Sequence, residues 1–199
     1  SPSSAASDVY KRQTYGDAAI AGMGVVTRLV SMGSLTVFGF IKGFQPIAGY
    51  SYGAKKYERL RQAIKTSILW STIFCVVVGF GFFLFPTQIV SQFTTGNAEM
   101  IHIGANSLRI NGITFMLFGY YTVYSSLFLA LGKGKEGFLL GACRQGICFI
   151  PVILILPTIW GLTGILYAQP IADVLSFLIS LFMALSLHKQ LNLSGTQIN

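Results

Sequence analysis

Thr66 to Phe85 contains no charged residue, and a dense basic cluster stands immediately before it. An uncharged helical run of about 20 residues is long enough to cross the roughly 30 Å hydrocarbon layer of a bilayer. Lys55, Lys56, Arg59, Arg61 and Lys65 are opposed there only by Glu58. A short basic segment beside an apolar run tends to stay on the cytoplasmic side, so this junction orients the rest of the chain. Composition supports the same class: 53% of the 199 residues are apolar and 10% are charged, against about 25% charged in a soluble domain. So little charge cannot clothe a soluble surface, and the mean hydropathy is +0.64. The net charge of +8 raises the question of nucleic acid. The basic residues lie mostly in short segments between apolar runs, however, which retention on one side of a bilayer explains better. No nucleic-acid partner is expected. Cys75, Cys143 and Cys148 have no metal-ligand or redox spacing and read as small buried residues.

Residues 1–13, SPSSAASDVYKRQ, differ from everything after them and are expected to be a non-native leader on a fragment lacking its true N-terminus. Residues 14–190 then form a partial transmembrane bundle, followed by a polar cytoplasmic tail at 191–199. Helices are expected at 17–49, 66–85, 105–131, 138–157 and 165–187. Arg28 and Lys42 interrupt the first, but 14 residues place them about 21 Å apart, so both can snorkel to opposite boundaries. The Gly39/Gly43 pair can let a neighbouring helix approach, and Pro46 can kink or end the crossing. Pro86 is a natural stop for the second helix. Between the fourth and fifth, Pro157, Gly161 and Gly164 favour a tight turn. The segments joining the helices are basic around Lys55, without Lys or Arg around Glu99, basic at Gly132 to Glu136, and uncharged before Ile165; Lys189 follows the last helix. Five crossings make these alternate, with the C-terminus cytoplasmic. The fold class is therefore an all-α polytopic membrane protein.

Asp173 is the carboxylate placed well inside an expected crossing, where a charge costs roughly 2.5 to 3.5 kcal/mol and calls for a partner or water. Gln169, Asp173, Ser176 and Ser180 are spaced 4, 3 and 4, which puts them on one stripe. That stripe reads either as a polar cavity wall or proton site, or as a structural contact between helices. A second stripe holds Asn111, Thr114, Phe118, Tyr121 or Thr122, and Ser125, with Tyr120 and Tyr124 adding an aromatic pair. Such a surface suits a mixed substrate cavity; it also suits plain helix packing. Arg28 and Lys42 read as anchors, and Arg109 and Arg144 as blander still, because both lie near helix starts. Gln45, Pro46, Gly49 and Gly53 are expected to shape a helix exit and its turn. His102 and His188 fall near opposite faces, and no nucleophile-base or metal constellation converges. No catalytic residue and no metal are expected.

The local text is more specific. GFIKGFQPIAGYSYGAKKYERLRQA at Gly39 to Ala63 resembles the end of helix eight and the following loop in the multidrug and toxic-compound extrusion (MATE) transporters. AAIAGMGVVTR at Ala18 to Arg28 is similar to the start of that helix. IPVILILPTIWGLTGILYAQPIADVLSF at Ile150 to Phe177 resembles the eleventh helix, tight turn and twelfth helix. The resemblance implies helices 8–12 of a twelve-helix transporter made of two six-helix bundles around a central cavity. It implies antiport of cationic or amphipathic compounds against protons or sodium ions, with no other cofactor. The implied partners are membrane lipids, small organic cations or amphipathic drugs, and the missing N-terminal half, with residence in a bacterial plasma membrane. The family's carboxylates on helices one and seven have no counterpart here. Where some members carry an acid on helix ten, this chain offers Asn106, Arg109 and Asn111. Other readings are a lipid-linked saccharide flippase of the same superfamily, and a non-transporting structural protein or inactive remnant.

The alternating charge generates the first prediction. With the upstream half restored and native cysteines removed, single cysteines replacing Lys56 and Lys135 should react with impermeant thiol reagents from the cytoplasm, and one replacing Glu99 from outside. Labelling of positions 56 and 99 from one side would sink the five-crossing topology.

Overall fold

Tyr57 to Lys65 is rich in helix formers and free of Gly and Pro. In the computed structural model, which describes residues 2–93 and 98–196, this segment is not a loop but the first turns of a helix. Residue 1 of the expected leader and residues 197–199 of the expected tail lie outside the described residues. The described residues form α1 (Pro2–Gly53), α2 (Tyr57–Leu84), α3 (Pro86–Ser91), α4 (Ala98–Ala130), α5 (Gly134–Ala142), a π-turn (Cys143–Ile147), α6 (Phe149–Trp160) and α7 (Leu162–Thr196). Within them, Ile20–Gly53, Tyr57–Leu84, Ala98–Ala130 and Tyr167–Leu187 are long and apolar enough to span a membrane, and Phe149–Trp160 is a shorter apolar helix. The expected fourth helix is therefore divided, α5 and α6 being joined through the π-turn rather than continuous from 138 to 157.

The breaks are short. After α1, Lys55 takes the left-handed conformation (φ 55°) while Lys56 N–H donates back to Ser51 O at 2.9 Å and Lys55 N–H to Tyr52 O at 3.0 Å. That pattern caps the last carbonyls of the helix. Gly132 (φ 74°) does the same after α4, with Lys133 N–H on Phe128 O at 2.9 Å. Pro86 both ends α2 and starts α3, since its missing N–H costs nothing at a first helical position. Pro46 and Pro157 lie inside their helices without ending them. The turn between α6 and α7 reduces to Gly161 (φ 57°), and Gly164 then lies so close to the Leu156 carbonyl that a side chain there would collide with it.

α4 is the axis of the bundle, lying against α1, α2, α3, α5 and α7. Its buried Phe115, Phe118, Tyr121, Tyr124, Leu127 and Phe128 meet Val37, Ile41 and Phe44 of α1, and Leu60, Ile64 and Cys75 of α2. Trp70, Val77, Phe80, Leu154, Phe182 and Leu185 point outward, as lipid-facing residues must. Apolar contact alone does not drive helices together in lipid, so close packing of small residues matters more. On α2, Ser67, Ser71, Cys75 and Gly79 recur every fourth position and are all buried. A Cβ added at Gly119 would lie 2.7 Å from Ser71 O, and one at Gly112 would lie 2.7 Å from Gly79 O. The close approach is thus between α2 and α4. Gly39 and Gly43 have no neighbour within 4 Å of a built Cβ among the described residues, whereas Gly49 faces Ala130 O at 3.3 Å.

Gly119→Ala and Gly112→Ala should therefore each cost about 1–3 kcal/mol through overpacking and lower the temperature at which the detergent-solubilised chain aggregates. Gly39→Ala should not. Equal effects at all three positions would contradict the packing described.

Candidate functional site

A largely buried carboxylate on an apolar helix needs a donor set, and side chains from α7 and the π-turn supply one for Asp173. The residue lies on α7, about 9 Å into the Tyr167–Leu187 span. Gln169, one turn earlier, donates its Nε2–H to Asp173 Oδ1 at 2.9 Å. From the π-turn, Arg144 donates Nε–H to the same oxygen at 2.7 Å, and both side chains are nearly enclosed, at 12% exposed for Arg144 and 10% for Asp173. The Arg144 guanidinium also lies over the Phe118 ring of α4, 4.4 Å from its centroid. Arg144 is therefore not a bland residue near a helix start. It is the cation that neutralises Asp173.

The π-turn is what delivers it. Cys148 N–H bonds to Cys143 O across five residues at 2.9 Å. One extra residue is thereby inserted, and the side chains beyond it are rotated relative to an α-helical register. Leu140, near the end of the preceding helix, has its carbonyl taken by the Tyr121 hydroxyl from α4. The segment leading into the turn is thus tied to its neighbour beside the polar centre.

Two spaces flank the pair. The larger, about 470 Å³, lies between α1, α4, the π-turn, α6 and α7; its polar lining includes Thr27, Ser31, Ser34, Asn111, Arg144 and Gln169, and Met23, Phe38 and Phe149 contribute apolar surface. A recess of about 10 Å³ is bounded by Thr114, Phe118, Tyr121, Arg144, Asp173 and Ser176. Several hydroxyl donors in the larger space are turned back onto their own helices, Thr27 to Met23 O at 2.9 Å and Ser34 to Val30 O at 2.8 Å. Asn111 Nδ2 likewise donates to Ser107 O at 2.9 Å. Those groups therefore offer acceptor lone pairs to the cavity.

The candidate residues from the sequence divide accordingly. Asn111 and Gln169 line the larger cavity, while Asp173 and Tyr121 line the recess. Tyr120 and Tyr124 pack ring against ring at 4.8 Å, and Tyr120 meets Phe177 of α7 at 5.4 Å. They join α4 to α7 and line neither space. Ser176 and Ser180 are fully enclosed, and their hydroxyls have no hydrogen-bond partner among the described residues. Gln45 and Gly49 are half-buried, and Pro46 and Gly53 are exposed at the exit of α1. Periodicity passes over Arg144 and the Thr27–Ser31–Ser34 stripe. The 4 and 3 spacing of that stripe is a readable signal; the π-turn is not.

Removing one member of a buried ion pair strands the other, at a cost of about 3–5 kcal/mol, whereas removing both is far milder. Arg144→Gln should therefore lower folded yield and thermal stability sharply, and Arg144→Gln/Asp173→Asn should restore most of the loss. A double variant as unstable as the sum of the single ones would show that the two side chains are not coupled.

A family model described as MatE matches residues 3–155. The multidrug export protein MepA of Staphylococcus aureus (strain MRSA252) is 28% identical over 184 residues, which cover 92% of this chain and 40% of that protein. MepA of Staphylococcus haemolyticus (strain JCSC1435) is 27% identical over 185 residues, covering 93% and 40% respectively. Among solved structures, a ligand complex of the MATE multidrug transporter DinF-BH is similar at a TM-score of 0.74 and 37% identity, over 81% of this chain and 36% of that one. An outward-facing multidrug resistance MATE family transporter of the MOP superfamily gives a TM-score of 0.80 at 19% identity, over 89% and 40%, a likeness of fold. The chain spans about 40% of the length of the curated relatives it matches.

Proposed function

Because the chain belongs to the MatE family of transporters, we propose that it supplies most of the C-terminal bundle of a secondary multidrug exporter. The chemistry is translocation: an amphipathic or cationic compound leaves the cell, driven by protons or sodium ions entering. The bundle works together with an upstream half, in a bacterial plasma membrane, with the C-terminus on the cytoplasmic side. The observation that carries this reading is the mixed polar and apolar cavity between α1, α4, α6 and α7, with a paired carboxylate one side chain away. A cavity of that lining can hold an aromatic body against Phe38 and Phe149 while hydroxyl and amide oxygens meet its polar groups. Similarity to a multidrug transporter solved in complex with a ligand supports a small-molecule substrate.

Asp173 is the group through which charge can be exchanged in this half. While ionised it is matched by Arg144 and hydrogen-bonded by Gln169. Protonation, or competition by another cation, would release Arg144 and change the electrostatics of the cavity wall. Of the other groups around it, Tyr121 is engaged with Leu140 O, and Thr114 and Ser176 are neutral.

Asp173→Asn preserves size while removing the titratable charge. In the restored transporter, reconstituted with equal amounts of folded protein, initial export of a cationic dye should fall, and its dependence on pH should flatten. Wild-type rates with an unchanged pH profile would rule out a charge role for Asp173. A loss confined to folded protein would leave it a packing residue.

A further inference from the structure

The guanidinium of Arg144 is engaged on one edge and one face. Its Nε–H is bonded to Asp173 and one face lies over Phe118. The edge carrying the two Nη nitrogens makes no hydrogen bond among the described residues. Arg144 nevertheless lines the 470 Å³ cavity, and neither Asp173 nor Phe118 does. Arg144 thus borders both spaces, and its Nη groups are the polar atoms that Asp173 and Phe118 leave uncommitted. Among the described residues it is also the one charged side chain in the lining.

We propose that Arg144 is a carboxylate anchor, so that the cavity takes amphipathic molecules bearing a carboxylate, zwitterions included, in preference to otherwise identical neutral esters. The two Nη groups of a guanidinium match the two oxygens of a carboxylate in a parallel, charge-assisted pair. The stack on Phe118 and the bond to Asp173 hold that fork in place before a ligand arrives, which reduces the entropy lost on binding. The neighbouring Gln169 and Asn111 each direct an amide N–H, at Asp173 and Ser107 respectively, and Arg144 is the charged donor of the lining. Phe38, Phe149 and Met23 cover the apolar body of the ligand. Asp173 moderates the anchor, since its carboxylate offsets part of the guanidinium charge. This inference rests on the reading of the cavity as a substrate site.

The test uses two xanthene dyes of one skeleton, a cationic rhodamine ethyl ester and its zwitterionic free acid, titrated by fluorescence anisotropy against the transporter with its upstream half restored, in uncharged lipid nanodiscs. Empty nanodiscs supply the partition background. The free acid should bind at least about tenfold more tightly than the ester, as a hydrogen bond to a charged group implies. Arg144→Lys, which keeps the charge and loses the fork, should shrink that ratio. In Arg144→Gln/Asp173→Asn, where no charge is stranded, the ratio should fall to about one or below. If both dyes bind but the ester matches or exceeds the acid, the anchor is refuted while the cavity stands. An acid preference that survives unchanged in the double variant refutes it as well. If neither dye binds above the empty-disc background, the substrate-site reading falls, and the anchor with it.

Discussion

A carboxylate inside an apolar helix costs roughly 2.5 to 3.5 kcal/mol on insertion scales unless something answers its charge. α7 keeps Asp173 about 9 Å inside its span because Arg144 reaches it from a different element at 2.7 Å. That single requirement organises the polar half of the bundle. It fixes where the π-turn must present its second residue, which face of α7 turns toward α4, and why Gln169 stands one turn away with its amide directed at the same oxygen. The pair is not a source of net stability in any simple sense, since desolvating two charges can cost more than their attraction returns. Its value is that other arrangements of these helices would leave a charge stranded.

The rest of the bundle holds by contact rather than charge. α4 sits against the small-residue stripe of α2, close enough that Gly112 and Gly119 have no room for a methyl group. Because lipid is as apolar as the helix surfaces, this closeness supplies dispersion that a looser contact would lack. α1 and α7 close on α4 from other sides, and the large cavity opens between α1, α4, α6 and α7. Close packing thus lies on one flank of α4 and a polar space on the other.

Much of this is legible in the chain. The long uncharged runs, the basic turns and the Gly161 break mark the helices, because hydrophobic length and turn chemistry are local properties. Asn111, Gln169 and Asp173 stand out because a polar stripe on an apolar helix shows at a spacing of three and four. Arg144 cannot be placed in the same way. Counting it as a residue near a helix start assumes regular α-helical register, and the π-turn at Cys143–Ile147 breaks that assumption. The Gly39/Gly43 pair misleads for a related reason: spacing identifies a smooth face without saying whether another helix lies on it, and here none approaches within 4 Å among the described residues. The matching stripe on α2 is equally visible, but Ser and Cys carry the same meaning as Gly only once a partner helix is known. Equating charge with loop places the start of α2 too late, since Tyr57 to Lys65 is charged and helical.

The charge pair at the centre of the bundle can be observed directly through the Arg144 Nε–H. With the chain labelled with nitrogen-15 arginine and held in nanodiscs, the Nε–H resonance assigned by Arg144→Lys should be displaced from the other arginines and protected from solvent exchange. Both properties should vanish in Asp173→Asn. An Arg144 Nε–H that exchanges as freely as those of exposed arginines, or one whose shift and protection persist without the Asp173 carboxylate, would contradict the arrangement on which the site depends.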